Sequence, residues 1–146
     1  MIITGDLTID DRSTWENLFA GYNTFYGRTL APQWVDRAWR EFASGERMHA
    51  LGARLDGELV GIVHFLTHVS TTSADVCYLQ DLFTDTKARG RGVGRALIEA
   101  VAEWARARGC ARVYWHTQAS NTAARRLYDQ VALDKRFMQY QIPLGS

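Results

Sequence analysis

The sequence predicts a fold of class α/β or α+β in a single domain, 1–146, built on a mixed central sheet flanked by helices. Three observations carry that prediction. A strand, loop, helix and strand follow one another over 76–117, which implies a parallel pair joined by a right-handed crossover. Two apolar runs, Met48–Leu55 and Glu58–His68, flank Asp56-Gly57, a dipeptide that favours a tight antiparallel hairpin. The 146 residues contain only two prolines and no Pro/Gly/Ser linker or repeat, so nothing divides the chain.

In chain order, residues 10–26 and 32–44 read as amphipathic helices. Trp15, Leu18, Phe19 and Tyr22 fall at helical spacing, as do Val35, Ala38, Trp39 and Phe42. Asp10 or Ser13 is the expected cap of the first, and Pro32 suits the first turn of the second. The hairpin strands follow, then a third strand, Val76–Asp85. Arg89-Gly90-Arg91-Gly92-Val93-Gly94 opens the clearest helix, whose stripe is Val93, Leu97, Val101 and Trp104, with Gly109 as its stop. Ala111–Thr117 is a strand rich in Val, Tyr and Trp. Asn121 to about Val131 is a helix, and Arg136–Ile142 reads as a closing strand.

Composition excludes several classes. Hydrophobic residues make up 47% and charged residues 23%, as in ordinary globular proteins. Seventeen basic against sixteen acidic side chains leave +1, so no global field points to nucleic acid or membrane. Cys77 and Cys110 are too few for a disulfide scaffold or a zinc site. No apolar run approaches the ~18 residues of a spanning helix. Residues 1–10 lack a signal pattern, so a cytoplasmic location is expected.

The glycine-rich turn carries the chemistry. Glycines 90, 92 and 94 remove side chains that would keep a ligand from the backbone. The first N–H groups of the helix have no internal partners, and the helix dipole adds partial positive charge there. Lys87, Arg89, Arg91 and Arg95 add four cations. The result is an anion site suited to phosphate or pyrophosphate. Gly94-Arg95-Ala96 lacks the Gly-Lys-Ser/Thr of a nucleotide phosphate loop. The glycine spacing is wrong for a dinucleotide fingerprint, and the next strand ends at His116-Thr117 with no acid for a ribose.

Arg89-x-x-Gly92-x-Gly94, after a strand and before an amphipathic helix, resembles the acyl-CoA pyrophosphate loop of the GCN5-related N-acetyltransferases (GNAT). The resemblance covers about 48–142. Tyr78-Leu79-Gln80-Asp81-Leu82-Phe83-Thr84 looks like the family's fourth strand, and Asn121-x-x-Ala124-x-x-Leu127-Tyr128 like its helix after the fifth strand. The runs Val113–Gln118 and Gly90–Glu99 look closest to the Hpa2-like, polyamine- and histone-type branch. The resemblance implies a sheet splayed between Val76–Asp85 and Ala111–Thr117, with acetyl-CoA in the wedge and no metal. It makes 76–131 the acetyl-CoA-binding core and 1–47 the helices over the acceptor side, where Tyr22, Phe25 or Tyr26 would line the pocket. The backbone of Leu82, Phe83 and Thr84 would pair with the pantetheine amides. The N–H groups of Arg91, Gly92, Val93, Gly94 and Arg95, with Gly90 and Arg89, would take the pyrophosphate, and Asn121 would bond the cofactor near its thiol.

By the same resemblance Tyr128 is the catalytic candidate, donating to the departing thiolate. Phenol titrates near 10 and a thiol near 8.5, so full proton transfer is uphill by about 2 kcal/mol, and hydrogen-bond stabilisation is the reading adopted. A primary alkylamine must shed its proton to attack, at a cost of about 4.6 kcal/mol at neutral pH. Relatives that acetylate polyamines carry Glu at the place of Gln80, which cannot act as a base. Asp81 is the remaining acid on that strand, and strict alternation turns it to the face opposite Gln80 unless a bulge re-aims it.

The implied function is acetyl transfer from acetyl-CoA to an amine, a small basic amine or a basic peptide, by direct attack in a ternary complex. The resemblance also implies a homodimer, with Arg136–Ile142 as the expected contact. A catalytically inactive acyl-CoA-binding module is the alternative, and Asn121 together with Tyr128 stands against it. A nucleic-acid binder using Lys87–Arg95 is opposed by the near-neutral charge. His64 and His68 have weak metal spacing without a third ligand and read as a solvated hairpin. Neither cysteine receives a covalent role.

Overall fold

The computed structural model describes residues 1–145. Its contacts divide the chain into two units, Met1–His116 and a second from Thr117 onward.

The first unit is a five-stranded sheet in the order β1-β2-β3-β4-β5, formed by Ile2–Asp6, His49–Leu55, Glu58–His68, Val76–Thr84 and Val113–Tyr114. Neighbours are antiparallel except the parallel β4/β5 pair, so the sheet is mixed as expected. Helices α1 (Arg12–Phe25) and α2 (Pro32–Ser44) precede the hairpin, and α3 (Val93–Ala107) crosses between β4 and β5. The hairpin turn is at Asp56 and Gly57, both with positive φ.

The helices cover opposite faces. Trp15, Leu18 and Phe19 of α1 pack on Leu59 and Ile62, with Val35, Ala38, Trp39 and Phe42 of α2 against the same cluster. Val93 and Leu97 lie on the other face, over Gly61, where an added Cβ would stand 2.6 Å from Val93 Cγ1 and 3.0 Å from Leu97 Cδ1. Glycine is needed there so that the first turn of α3 can sit directly on β3. A similar fit brings α1 onto β4, because a Cβ at Gly21 would stand 2.9 Å from Phe83 Cζ.

Two irregularities shape the sheet around the site. His64 pairs with Asp81 and Phe65 with Leu79, so Gln80 is an extra residue in β4 and forms a bulge. The bulge reverses the alternation: Leu79 shares the α3 face with Phe65, whereas Asp81 and Phe83 share the α1 face with His64 and Ile62. The second irregularity is the brevity of β5. Only Cys77 and Tyr78 pair with it, through Val113 and Tyr114. Beyond Tyr78, among the described residues, no strand pairs with that edge of β4. The expected splay is therefore present, and it confines the expected strand Ala111–Thr117 to two residues.

Other expectations need correction. Ile2–Asp6, which the sequence reading leaves outside the fold, is an edge strand paired with β2. Neither Asp10 nor Ser13 caps α1. Thr8 and Asp11 instead form a capping box on a short 3₁₀ turn, Ile9–Asp11, that leads into it. Pro32 opens α2 as expected, and Gly109, at φ 75°, follows the end of α3.

The second unit contains α4, Thr122–Val131, with Asn121 as N-cap: its side chain accepts from the Ala124 N–H at 3.4 Å. Arg136–Ile142 is not a strand. Among the described residues it has no ladder partner, and Phe137, Met138, Tyr140 and Ile142 are exposed. Its alternation of apolar residues supplies a β-compatible pattern but no paired edge.

Asp11 ties the 3₁₀ turn to the sheet, accepting from the Thr8 N–H at 2.8 Å and from Arg54 Nη2 at 2.6 Å. Burial alone would raise its carboxyl, but the bonds from Arg54 and Thr8 outweigh burial and hold it below the usual value. Asp11→Ala is expected to lose about 1.5–3 kcal/mol in urea unfolding at neutral pH. Because the folded carboxyl is depressed, its contribution is complete above the ordinary aspartate value and disappears as pH falls through the folded one. The difference between wild type and variant should shrink over that acid window; a constant difference would show that the effect is packing.

Candidate active site

The turn before α3 is built by its backbone. Gly90 and Gly92 have φ of 79° and 85°, left-handed values that favour glycine. Gly92 is the N-cap of α3 and offers no side-chain oxygen to the helix. Among the described residues, no N–H from Gly90 through Gly94 donates to a backbone carbonyl in a turn or loop, and the first turn of a helix supplies no partner either. Added Cβ atoms at Gly90 and Gly92 would meet nothing closer than Ile2 Cδ1 at 4.0 Å. These glycines thus serve conformation and outward access, not internal packing. The turn has the donors and the open approach that a pyrophosphate requires, so the residues present fit that part of acetyl-CoA.

The flanking cations are placed unequally. Lys87 bonds Glu58 at 2.8 Å, which raises the ammonium above its ordinary value. Arg89 reaches back to the Thr84 carbonyl at 3.4 Å and lies over the Phe83 ring. Arg91 is exposed on the turn, and Arg95 sits in the first turn of α3.

The splayed edge of β4 offers a second set of donors. The Asp85 N–H donates to the Val60 carbonyl at 2.8 Å, so it points toward β3. Alternation then turns the N–H groups of Leu82 and Thr84 to the edge away from β3, while Phe83 is in the ladder with Ile62. Of the three residues expected to meet a pantetheine arm, Leu82 and Thr84 thus have outward main-chain donors.

Asp81, re-aimed by the bulge, joins a buried polar chain. Its Oδ2 lies 2.8 Å from His64 Nδ1, and His64 Nε2 lies 3.0 Å from Trp15 Nε1. An indole N–H only donates, so Nε2 accepts and the imidazole proton is assigned to Nδ1, which donates to Asp81. Burial first, then the charge of nearby Asp81, push the Tyr22 phenol well above the ordinary value. His64 is 1% exposed and Trp15 fully buried. The solvated reading of His64 is therefore wrong, while His68 is exposed and meets the Tyr114 hydroxyl at 2.7 Å.

Asp81 and His64 lie on a cleft of about 410 Å³. Phe19, Trp34, Ala38, Phe42 and Met48 form its apolar wall, and Arg37, Glu41 and Arg47 its remaining polar lining. Phe19, Trp34 and Phe42 are the aromatic lining of this cleft; Tyr22, Phe25 and Tyr26, expected beside the acceptor, are not among the residues that line it. The roles of His64, Arg37 and Trp34 escaped sequence reasoning, because only the tertiary fold brings α2 and β3 beside β4. Asn121 and Tyr128 both lie on α4 of the second unit, at its cap and in its penultimate turn. His116, at the end of the first unit, has its Nδ1 3.3 Å from the Tyr78 hydroxyl.

A splayed mixed sheet with a bare-amide turn at the head of its crossover helix defines an acyl-CoA-dependent transferase. The profile of the acetyltransferase (GNAT) family matches residues 14–132. D-amino-acid N-acetyltransferase HPA3 of Saccharomyces cerevisiae is 32% identical over 126 residues, 84% of this chain and 78% of that protein. A crystal structure of ribosomal-protein-alanine N-acetyltransferase from Brucella melitensis biovar Abortus 2308 superposes with a TM-score of 0.83 at 26% identity, covering 99% of this chain and 100% of that one. The structure of AAC(6')-Iy with the bisubstrate analog CoA-S-monomethyl-acetylneamine shares the fold, with a TM-score of 0.84 at 19% identity and coverage of 98% and 99%. The chain belongs to the GNAT family and is an acetyl-CoA-dependent N-acetyltransferase. Nothing in these likenesses supports the inactive alternative. No helix among the described residues is long and apolar enough to cross a membrane.

Both cysteines are free, and burial, with a smaller contribution from Cys110, pushes the Cys77 thiol up to about 12. A thiol reagent at neutral pH should therefore label Cys110 quickly and Cys77 only on unfolding. Rapid native labelling of both would show that β4 opens.

Proposed function

We propose that this chain moves an acetyl group from acetyl-CoA to a small primary amine by direct attack in a ternary complex, with residues 1–146 working as one acetyltransferase domain. Bound acetyl-CoA supplies an activated thioester: a C–N bond forms at its carbonyl as the C–S bond breaks, and the amine loses a proton. The N–H groups of residues 90–95 take the pyrophosphate, with Arg89 swinging from Thr84 to assist. The Leu82, Phe83 and Thr84 segment, through the outward N–H groups of Leu82 and Thr84, pairs with the pantetheine amides. Asp81 holds the amine and receives its proton, directly or through one water. One of its lone pairs is taken by His64, which fixes the carboxylate and leaves others for the substrate. Tyr128 donates to the departing thiolate and Asn121 bonds the cofactor near its thiol, roles carried over from the family pattern Asn121-x-x-Ala124-x-x-Leu127-Tyr128.

The observation that carries this reading is the turn at Gly90–Gly94, whose N–H groups lack backbone carbonyl partners. The likeness to enzymes whose names specify a D-amino acid or an aminoglycoside supports an amine as the acceptor. We further propose a cytoplasmic enzyme that forms a homodimer. The exposed apolar side chains of Phe137, Met138, Tyr140 and Ile142 support a contact through 136–142, and sedimentation of a variant with those side chains made polar tests it.

Gly92→Ala is expected to cost about 1 kcal/mol in stability, because alanine resists a φ of 85°. CoA affinity by calorimetry should fall by a larger factor, about tenfold or more, because the new methyl group faces the ligand. Unchanged affinity would remove the turn from the site.

Tyr128→Phe is expected to lower kcat about 10- to 100-fold with little change in KM for acetyl-CoA. Asp81→Asn should lower kcat/KM for the amine about 100-fold or more. Near-normal turnover with a lowered Tm would assign either residue to the core alone.

A further inference from the structure

The cleft that receives the amine is balanced in charge, and the balance specifies the acceptor. Two carboxylates, Asp81 and Glu41, and two guanidiniums, Arg37 and Arg47, line it. His64 adds no charge in the tautomer its two bonds require. Glu41 and Arg47 neutralise one another: Arg47 Nε lies 3.1 Å from both Glu41 oxygens, and its Nη2 makes a further close contact with Oε1. The charge of Arg37 also reaches Glu41, as does that of Arg40, but both Glu41 oxygens are already occupied by Arg47.

One charge of each sign remains. Asp81 is bonded by a neutral donor, His64, so its negative charge is not cancelled. Arg37 makes no ion pair among the described residues and lies with its guanidinium 5.8 Å from the Trp34 ring centre. Stacking on an aromatic face orients a guanidinium while leaving its edge donors free for a planar anion. Trp34 is itself 49% exposed, although it belongs to the wall of the cleft.

We propose that the acceptor is an amino-carboxylate: one amine that meets Asp81, one carboxylate that meets the edge of Arg37, and an apolar remainder against Trp34, Phe42 and Met48. This deepens the acetyl-transfer reading and rests on it. A polycation would bring several positive charges to a cleft whose carboxylates do not outnumber its guanidiniums. A simple alkylamine would leave Arg37 unmatched. The basic acceptor expected from sequence is thereby narrowed to one that also carries an anionic group.

The test measures thiol release from acetyl-CoA with four matched acceptors: an amino acid, its carboxamide, the amine without the carboxyl group, and a diamine. A series with more methylenes between amine and carboxylate then gives the spacing the cleft prefers. The amino acid is expected to exceed the carboxamide in kcat/KM by about 10- to 100-fold, the range of a charge-assisted hydrogen bond. In Arg37→Ala that ratio should collapse toward unity, mainly through KM, and Arg37→Lys should restore part of it. Equal turnover of carboxamide and amino acid by the wild type, or preference for the diamine, would overturn the proposal and leave acetyl transfer standing. A uniform loss on all acceptors in Arg37→Ala, with the ratio kept, would overturn it too, by assigning Arg37 to structure. Thiol release that no amine accelerates above the amine-free rate would remove the acetyl-transfer reading itself.

Discussion

The arrangement depends on one buried imidazole. His64 is held on one side by the Trp15 indole of α1 and on the other by the Asp81 carboxylate of β4. Those two bonds link a helix, a central strand and the edge of the splayed wedge through a group that is almost wholly buried. The alternatives are poor, because a buried polar atom that loses its partner costs about 1–3 kcal/mol. Trp15 in turn packs against Phe19, Trp39 and Phe42, so the position of α1 and α2 over the sheet and the orientation of Asp81 are set together. The acidic group of the site is thus fixed by the core rather than by a mobile loop.

The other half of the site follows a different principle. The turn before α3 is shaped by backbone geometry and offers bare main-chain donors, with its arginines beside them. What it requires is a helix N-terminus brought close to the sheet, and Gly61 permits that by leaving room for Val93 and Leu97. The first half of the site therefore depends on side-chain bonding in the core and the second on the absence of side chains. The two meet along β4, whose bulge serves one and whose unpaired edge serves the other.

Local signals were legible in the sequence where the chain is locally determined. The spacing of Trp15, Leu18 and Phe19, the Asp56-Gly57 turn and the glycine run before Val93 each act within a few residues, and each marks its element to within a residue or two. What escaped depends on partners far along the chain. Ile2–Asp6 has little alternation of its own and becomes a strand because β2 offers an edge. His64 looked like a surface residue because Trp15, 49 residues away, and Asp81, 17 away, carry no mark of their meeting. Arg136–Ile142 shows the converse: strand-like alternation gives no strand without an edge to pair with.

The extra residue at Gln80 has a consequence for which changes β4 can absorb. Substituting Gln80 alters one exposed side chain, and removing it would restore plain alternation, with Leu79 still opposite Phe65 and Asp81 still opposite His64. Loss of Leu82, by contrast, would set Phe83 opposite Val63 and turn its ring from the face of α1 to that of α3. Reading-frame-preserving loss of a single codon therefore keeps the register at Gln80 and breaks it at Leu82. Drift in this strand should therefore proceed by exchange of residues, with any change of length confined to the bulge.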